Sequence, residues 1–273
     1  MYFSDLKKIS KMTTLPKSIC RLYNVVTQRI QHRSVHLGQA VEIKKRKIRV
    51  GSKNFMEIPI KGTIEYVSRQ LSDPFVKMRH LEGYRCRSAY KLMDIVEKHD
   101  LLKPGMKVVD LGAAPGSWSQ VAAERVINKD DDGLVIAVDL LKFPPLDGVT
   151  QITGDFTKKE TQDEIKALLG TEENRFVDIV LCDAAPSASG FKNKDHLAIV
   201  QIIAAATNFT LKMLANHGNF LFKILDGTET MKIKKFLSLH FMSVASLKPK
   251  ASRSESAEHF ILCKNYNRQE NIS

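Results

Sequence analysis

The stretch 106-MKVVDLGAAPGSWSQVAAERV-126 decides the fold. MKVVDL is an apolar run of strand length, GAAPG breaks it, and SWSQVAAERV resumes at once with helical spacing. A strand passed through a glycine-rich turn into a helix is a unit of a parallel sheet. The turn brings backbone amides, and the positive end of the helix, to the carboxyl end of the strand.

The same alternation runs onward from residue 126. GLVIAVDL, VTQITGD, FVDIVLCD and NFLFKIL read as strands; SWSQVAAERVIN, KKETQDEIKALL, a run from about 194 to 216, and TETMKIKKFLSL read as helices. Such alternation predicts an α/β architecture, a mainly parallel sheet with helices on both faces. The end differs. FMSVASLKP and EHFILCKN, joined by 249-PKASRSESAE-258, read as an antiparallel pair closing the sheet. Upstream, 72-SDPFVKMRHLEGYRCRSAYKLMDIVEKHD-100 reads as a basic, aromatic-bearing helical lead-in, with Asp73 before Pro74 marking a helix start.

The 273 residues carry a net charge of +12, unevenly spread. Residues 1–60 hold 13 Lys/Arg against 3 Asp/Glu, whereas residues 101–273 hold 21 of each. A neutral, enzyme-like body thus carries a basic extension. Residues 1–35 have seven Lys/Arg and one acid, Asp5; in 21-RLYNVVTQRIQHR-33, Leu22, Val25, Val26 and Ile30 follow helical spacing. This is the composition of a mitochondrial transit peptide, and equally that of a basic tail touching RNA. KKRK, in 43-IKKRKIRVGSK-53, reads as a nuclear signal or a phosphate-binding patch. The longest apolar runs fall short of a membrane span, so no transmembrane segment is expected. Cys20, Cys86, Cys182 and Cys263 are scattered without metal-ligand spacing, which predicts free thiols and no metal site.

In an open α/β sheet, ligands sit beyond the carboxyl ends of the strands, where GAAPG lies. A triphosphate loop would need G-x-x-x-x-G-K-[ST], and a dinucleotide fingerprint G-x-G-x-x-G; Gly112 to Gly116 supplies neither. The remaining common choice is S-adenosylmethionine, whose amino-acid end would use these amides. Asp139, ending the second strand, suits ribose hydroxyls; Asp155, with Phe156 beside it, suits an adenine amino group and ring; Asp183 ends the fourth strand. Each acid alone could equally cap a turn. The loop after the fourth strand reads CDAAP, without the N-P-P-Y pattern of amino-group methylation or the Pro-Cys pair of pyrimidine carbon-5 methylation. Lys223, inside the apolar strand 219-NFLFKIL-225, must reach a pocket, a partner or solvent. Beside another cation or partly desolvated, its pKa would fall and it would serve as a base for a ribose hydroxyl. A lysine snorkelling from the strand end is the alternative.

The set SAYKL (88–92), DLGAAPGSWSQ (110–120), VDLL (138–141), GDF (154–156), CDAAPSASG (182–190), NFLFKI (219–224) and SRSESAEHFIL (252–262) resembles the FtsJ family of RNA ribose 2′-O-methyltransferases, over roughly residues 70–265. That resemblance implies a Rossmann-like, seven-stranded, mostly parallel sheet with one antiparallel strand. It also implies a catalytic tetrad of Lys91, Asp183, Lys223 and Glu258, with Lys223 as proton acceptor and Lys91 helping to keep its pKa down. Glu255 stands near Glu258 in the same loop, and only the register before the last strand selects Glu258. The cofactor residues implied are Pro115, Gly116, Ser117, Trp118, Asp139, Asp155, Phe156 and Asp183. Trp118 could as well pack under its helix.

SDPFVKMRHLEGYRCRSAYKL, KPKASRSESAE and the leader resemble the family's mitochondrial branch, which methylates a uridine of large-subunit rRNA. The expected organisation is a transit peptide at 1–35, a basic extension at 36–69, the methyltransferase domain at 70–265 and a polar tail at 266–273. The expected partner is large-subunit rRNA or the assembling large subunit, with no obligate protein partner, in the mitochondrial matrix; nucleus or cytoplasm are the other locations. Two competing readings are a tRNA anticodon-loop methyltransferase and an assembly factor whose rRNA binding matters more than its catalysis.

Overall fold

A computed structural model describes residues 45–50, 54–59, 73–170, 176–185, 192–253 and 256–268. The leader at 1–35, and Cys20 within it, lie outside these. The chain divides into two compact units between His80 and Leu81. In the first, β1 (Lys45–Val50) and β2 (Asn54–Pro59) form an antiparallel pair, from Lys45 opposite Pro59 to Val50 opposite Asn54. Lys45, Arg46 and Lys47 of the KKRK run, read from sequence as a nuclear signal or a phosphate-binding patch, therefore lie in a strand. α1 (Pro74–Glu82) begins where expected: Asp73 Oδ1 accepts from the Phe75 amide at 3.0 Å, and proline occupies the first helical position.

The second unit holds α2 (Ala89–His99), β3 (Lys107–Leu111), α3 (Ser117–Val126), β4 (Leu134–Asp139), β5 (Val149–Thr153), α4 (Lys159–Leu169), β6 (Val177–Cys182), α5 (Lys192–Met213), β7 (Leu214–Leu225), α6 (Thr230–Leu237), β8 (Phe241–Leu247) and β9 (Glu258–Tyr266). The helical lead-in consists of two helices, α1 and α2, with a turn at Gly83, which has φ +80°, after the first. The seven strands are ordered β5-β4-β3-β6-β7-β9-β8. β3 to β7 run parallel to one another, and β9 runs antiparallel to both β7 and β8. The order reverses between β3 and β6, so a crevice opens above the carboxyl end of β3.

Burial on both faces makes the central strands β3, β4 and β6 mainly apolar. Val109 and Leu111 face a core shared with α4 and α5; Val108 faces one shared with Leu92 and Ile95 of α2 and Trp118 and Val121 of α3. Each such aliphatic side chain contributes about 1.5–3 kcal/mol when fully buried. α5 has length and mean hydropathy enough to cross a membrane, beyond what the apolar runs suggested. Here Ile199, Ile203, Ala206, Phe209 and Met213 bury its face in the core instead.

Two boundaries differ from the sequence pattern. α5 ends at Met213 rather than 216, because β7 starts at Leu214, opposite Val177. Its next partner residue, Asn219, faces Ile179, so residues 215–218 bulge out of register, with His217 at φ 63°. At the other end, Tyr266 closes β9. Arg268, expected in a polar tail, donates to the Leu214 carbonyl at 2.9 Å and stacks 3.8 Å over Phe176.

Candidate active site

The carboxyl ends of β3 to β7 form one edge, and there the sequence-selected residues collect. Lys223 precedes the end of β7, Asp183 follows β6, Glu258 opens β9, and Lys91 reaches over from α2. Lys223 Nζ lies 2.7 Å from Asp183 Oδ1 and donates to the Asp183 main-chain oxygen at 2.6 Å. Lys91 Nζ donates to Glu258 Oε1 at 2.5 Å, above the Phe260 ring. All four side chains are between 11% and 18% exposed, a half-dry cluster of two cations and two anions. Lys223 and Phe260 are cross-strand partners, which turns both toward α2 and explains why Lys91 meets this cluster.

Glu258 is held by more than Lys91. Ser252 Oγ donates to its Oε1 at 3.3 Å, Arg87 donates to the Ala251 carbonyl, and the Lys250 amide donates to Asp94 Oδ2 at 2.9 Å. The 249–253 loop is thereby tied to α2. Glu255 lies outside the described residues.

The expected fall in the Lys223 pKa does not occur. Burial pulls it down, but the Asp183 charge and hydrogen bond, with Glu258 behind them, outweigh burial and hold it above the usual lysine value. Lys91 is engaged by Glu258 instead of opposing Lys223. Cys182, next to Asp183, is no nucleophile: burial pushes its thiol up to about 12.

The glycine turn is built by close packing. Gly112, at φ +72°, sits where a Cβ would lie 2.4 Å from Ala184 Cβ, so the turn presses against the segment carrying Asp183. Asp139 accepts from the Ala114 amide at 2.9 Å through Oδ2 and from the Leu141 amide at 2.7 Å through Oδ1. It thus shapes the turn, and each oxygen keeps a further lone pair for a ligand hydroxyl. Asp155 Oδ1 accepts from the Thr157 amide and hydroxyl, which holds its carboxyl below the ordinary range. Phe156 packs edge-on to Phe209, 6.4 Å away.

Ser117 is buried, hydrogen-bonded to Ser88 Oγ at 2.8 Å and Cys86 Sγ at 2.9 Å. Trp118 is 2% exposed, donates from Nε1 to the Ser88 carbonyl at 3.0 Å, and packs on Phe260. The structure therefore puts the Trp118 side chain in the core, leaving its amide, at the start of α3, as the group that can face a ligand.

Two residues unmarked by the sequence pattern complete the site. Asp110, 0% exposed, accepts from Ser119 Oγ at 2.6 Å through Oδ2, while Oδ1 has no partner among the described residues. Burial, reinforced by Asp183 and Asp139 against the Ser119 hydrogen bond, raises its pKa to about 7. Arg85 donates to the carbonyls of Pro115 (2.9 Å), Pro144 (2.7 Å) and Pro145 (2.7 Å), stapling the glycine turn to the loop after β4.

Helix amides, an unspent buried carboxylate oxygen and acids at successive strand ends suit a ligand with a carboxylate, an ammonium and sugar hydroxyls. S-adenosylmethionine fits this donor and acceptor set. A separate apolar cavity of about 480 Å³, lined by Ile203, Leu211, Ile233 and Phe236, lies between α5 and α6, away from these groups.

Residues 84–266 match the family described as FtsJ-like methyltransferase. The chain belongs to that family. It is 36% identical over 230 residues to the ribosomal RNA large subunit methyltransferase E of Rhizobium meliloti (strain 1021), covering 84% of this chain and 87% of that protein. With the enzyme of the same name from Parvibaculum lavamentivorans it shares 40% over 212 residues, 75% of this chain and 82% of that one. The crystal structure of a ribosomal RNA methyltransferase from Plasmodium falciparum aligns with a TM-score of 0.60 at 31% identity, covering 67% of this chain and 98% of the other. The protein is a methyltransferase enzyme, and the seven-stranded fold implied by the resemblance is the one observed.

Proposed function

We propose that this methyltransferase transfers a methyl group from S-adenosylmethionine to a ribose 2′-hydroxyl of large-subunit rRNA, specifically a uridine of the mitochondrial ribosome. The observation that carries the chemistry is the pairing of Lys223 with Asp183 and Lys91 with Glu258 at the edge where the glycine turn opens. The rRNA substrate is supported by relatives named as large-subunit rRNA methyltransferases. The mitochondrial address is supported by the acid-poor, basic leader at 1–35.

Bound S-adenosylmethionine supplies an electrophilic methyl group. The chain's own groups do the rest. Lys91 and Glu258 fix the ribose beside Lys223, and alignment of the hydroxyl with the methyl carbon lowers the entropic part of the barrier. As the 2′-oxygen takes the methyl group and the methyl–sulfur bond breaks to leave a neutral thioether, the hydroxyl proton would pass to Lys223 Nζ in the free-base form. General-base assistance of this kind is worth about 10²–10⁴-fold. Since Asp183 favours the ammonium form, the competent form is a minority near neutral pH.

The test is nucleoside mass spectrometry of mitochondrial large-subunit rRNA from cells carrying the natural protein or Lys223→Ala. Loss of one 2′-O-methyluridine in the variant supports the proposal. An unchanged pattern there with a loss in cytosolic tRNA would favour the anticodon-loop reading. No change in either RNA, with subunit assembly dependent on the protein, would favour the assembly role.

A further inference from the structure

We propose a second RNA contact outside the catalytic cluster: the cleft between α6, the carboxyl end of β8 and the start of β9 seats a phosphodiester of the strand that carries the target ribose. This rests on the RNA reading above and extends it to a surface of its own.

The charge pattern is the first observation. Residues 230–253 contain six Lys/Arg (Lys232, Lys234, Lys235, Lys248, Lys250 and Arg253) and no Asp or Glu. The rest of 101–273 holds 15 bases and 21 acids, so the neutral body is polarised. A local excess of one sign beside a reactive edge concentrates a polyanion there.

The fold makes a cleft of about 420 Å³ from that segment, lined by Thr230, Met231, Lys234, Ser246, Lys248 and His259 together with Asp226. Lys234 Nζ donates to Ser246 Oγ at 3.0 Å, and Lys248 Nζ donates to the Ser256 carbonyl. Each contact aims an ammonium with one of its three donors and leaves the charge unneutralised. Among the described residues neither lysine has a carboxylate partner. Asp226, the acid of the lining, is turned onto His259, with Oδ1 2.9 Å from Nδ1. Thr230 Oγ1 is buried with no hydrogen-bond partner among the described residues. Burial holds His259 below the usual histidine value against the pull of Asp226, and the charges of Lys248 and Lys234 across the cleft add to it.

Position supplies the link to RNA. Glu258 and His259 are consecutive on β9, paired with Leu225 and Ile224 of β7. Successive strand residues face opposite sides of a sheet, so the cleft lies across the edge from the Lys91–Glu258 pair. A strand whose ribose sits at the cluster crosses that edge and presents a neighbouring phosphate to Lys234 and Lys248. Lysines held as point charges read the backbone without reading sequence.

The experiment uses the full-length protein and a large-subunit rRNA fragment. RNA affinity is measured against salt for the natural protein, Lys234→Ala/Lys248→Ala, Lys234→Arg/Lys248→Arg and Ser246→Ala. The alanine pair should flatten the salt slope by about 0.7, the loss of one phosphate contact on a single strand. Its KM for RNA should rise several-fold, with S-adenosylmethionine affinity within twofold of the natural protein. The arginine pair should restore the slope. Ser246→Ala, which unties Lys234 without removing charge, should keep it. A natural slope and KM in the alanine pair would overturn the cleft alone. A natural protein that neither binds this RNA nor methylates ribose would overturn the functional reading and the cleft with it.

Discussion

Lys223 Nζ sits 2.7 Å from Asp183 Oδ1 and donates to the Asp183 carbonyl, so the group assigned as base rests as an ammonium. Only its deprotonated fraction can accept the hydroxyl proton. The single-turnover rate should therefore rise about tenfold per pH unit across neutral pH and level off only in the alkaline range. Asp183→Asn removes the charge that opposes burial. The rising limb should then move to lower pH while the plateau rate falls, because the ammonium loses its alignment. A limb that stays in place would show that Asp183 does not set the Lys223 proton affinity.

Glu258 and Glu255 share their chemistry, and what marks Glu258 is its contact with Lys91 and Ser252. Glu258→Gln keeps the size of the side chain but removes the charge facing Lys91, and kcat should fall by roughly 10²-fold, the lower end of what a positioned acid–base group supplies. Glu255→Gln should stay within about twofold of the natural rate, a change of under 0.5 kcal/mol. Equal losses in both variants would place the functional glutamate wrongly.

Arg85 spans three carbonyls that a lysine cannot reach together, because only a guanidinium offers a planar fork of donors. Arg85→Lys should loosen the glycine turn and weaken S-adenosylmethionine binding by about tenfold, equivalent to ~1.4 kcal/mol. Isothermal titration reads this directly. Unaltered affinity would mean the staple is dispensable for the turn.

Asp110 gives the fold a pH dependence of unusual sign. Its folded pKa, about 7, stands above the ordinary carboxylate value, so the native state keeps the proton longer than the unfolded chain does. Its contribution to stability is greatest in acid, declines as pH rises from about 4 to 7, and is flat beyond. A shift of this size corresponds to at most roughly 4 kcal/mol. In Asp110→Asn the loss of stability between pH 5 and pH 8 should be smaller than in the natural protein. Parallel pH profiles from denaturant melts of the two would remove Asp110 as the titrating group.

Local patterns carried most of the architecture. Each strand-to-helix turn is written within a few residues, and Asp139, Asp155 and Asp183 all stand at the carboxyl edge as their strand-end positions required. The antiparallel closure was legible too, because two strand-like runs flank one polar loop. What depended on distant pairing was not. Asp110 reads as one more strand residue until the β3 surroundings leave its Oδ1 without a partner among the described residues. Trp118 beside a ligand turn looks like a ligand residue, yet the Ser88 carbonyl and the Phe260 ring hold it in the core. The Lys223 proton affinity was misjudged because burial can be read from an apolar strand, whereas the 2.7 Å approach of Asp183, which outweighs that burial, is set by the pairing of β6 with β7. The helix pattern ran past Met213 because Leu214 continues the apolar spacing, while its actual partner is Val177.

The most direct test of the central claim is methyl transfer by the purified protein to a large-subunit rRNA fragment, with the product nucleosides identified by mass spectrometry. A matched fragment with 2′-deoxyuridine at the acceptor position is run beside it. The account predicts one 2′-O-methyluridine on the ribose substrate, none on the deoxy substrate and none with Lys223→Ala. A methyl group on a base, or on the deoxy fragment, would contradict it.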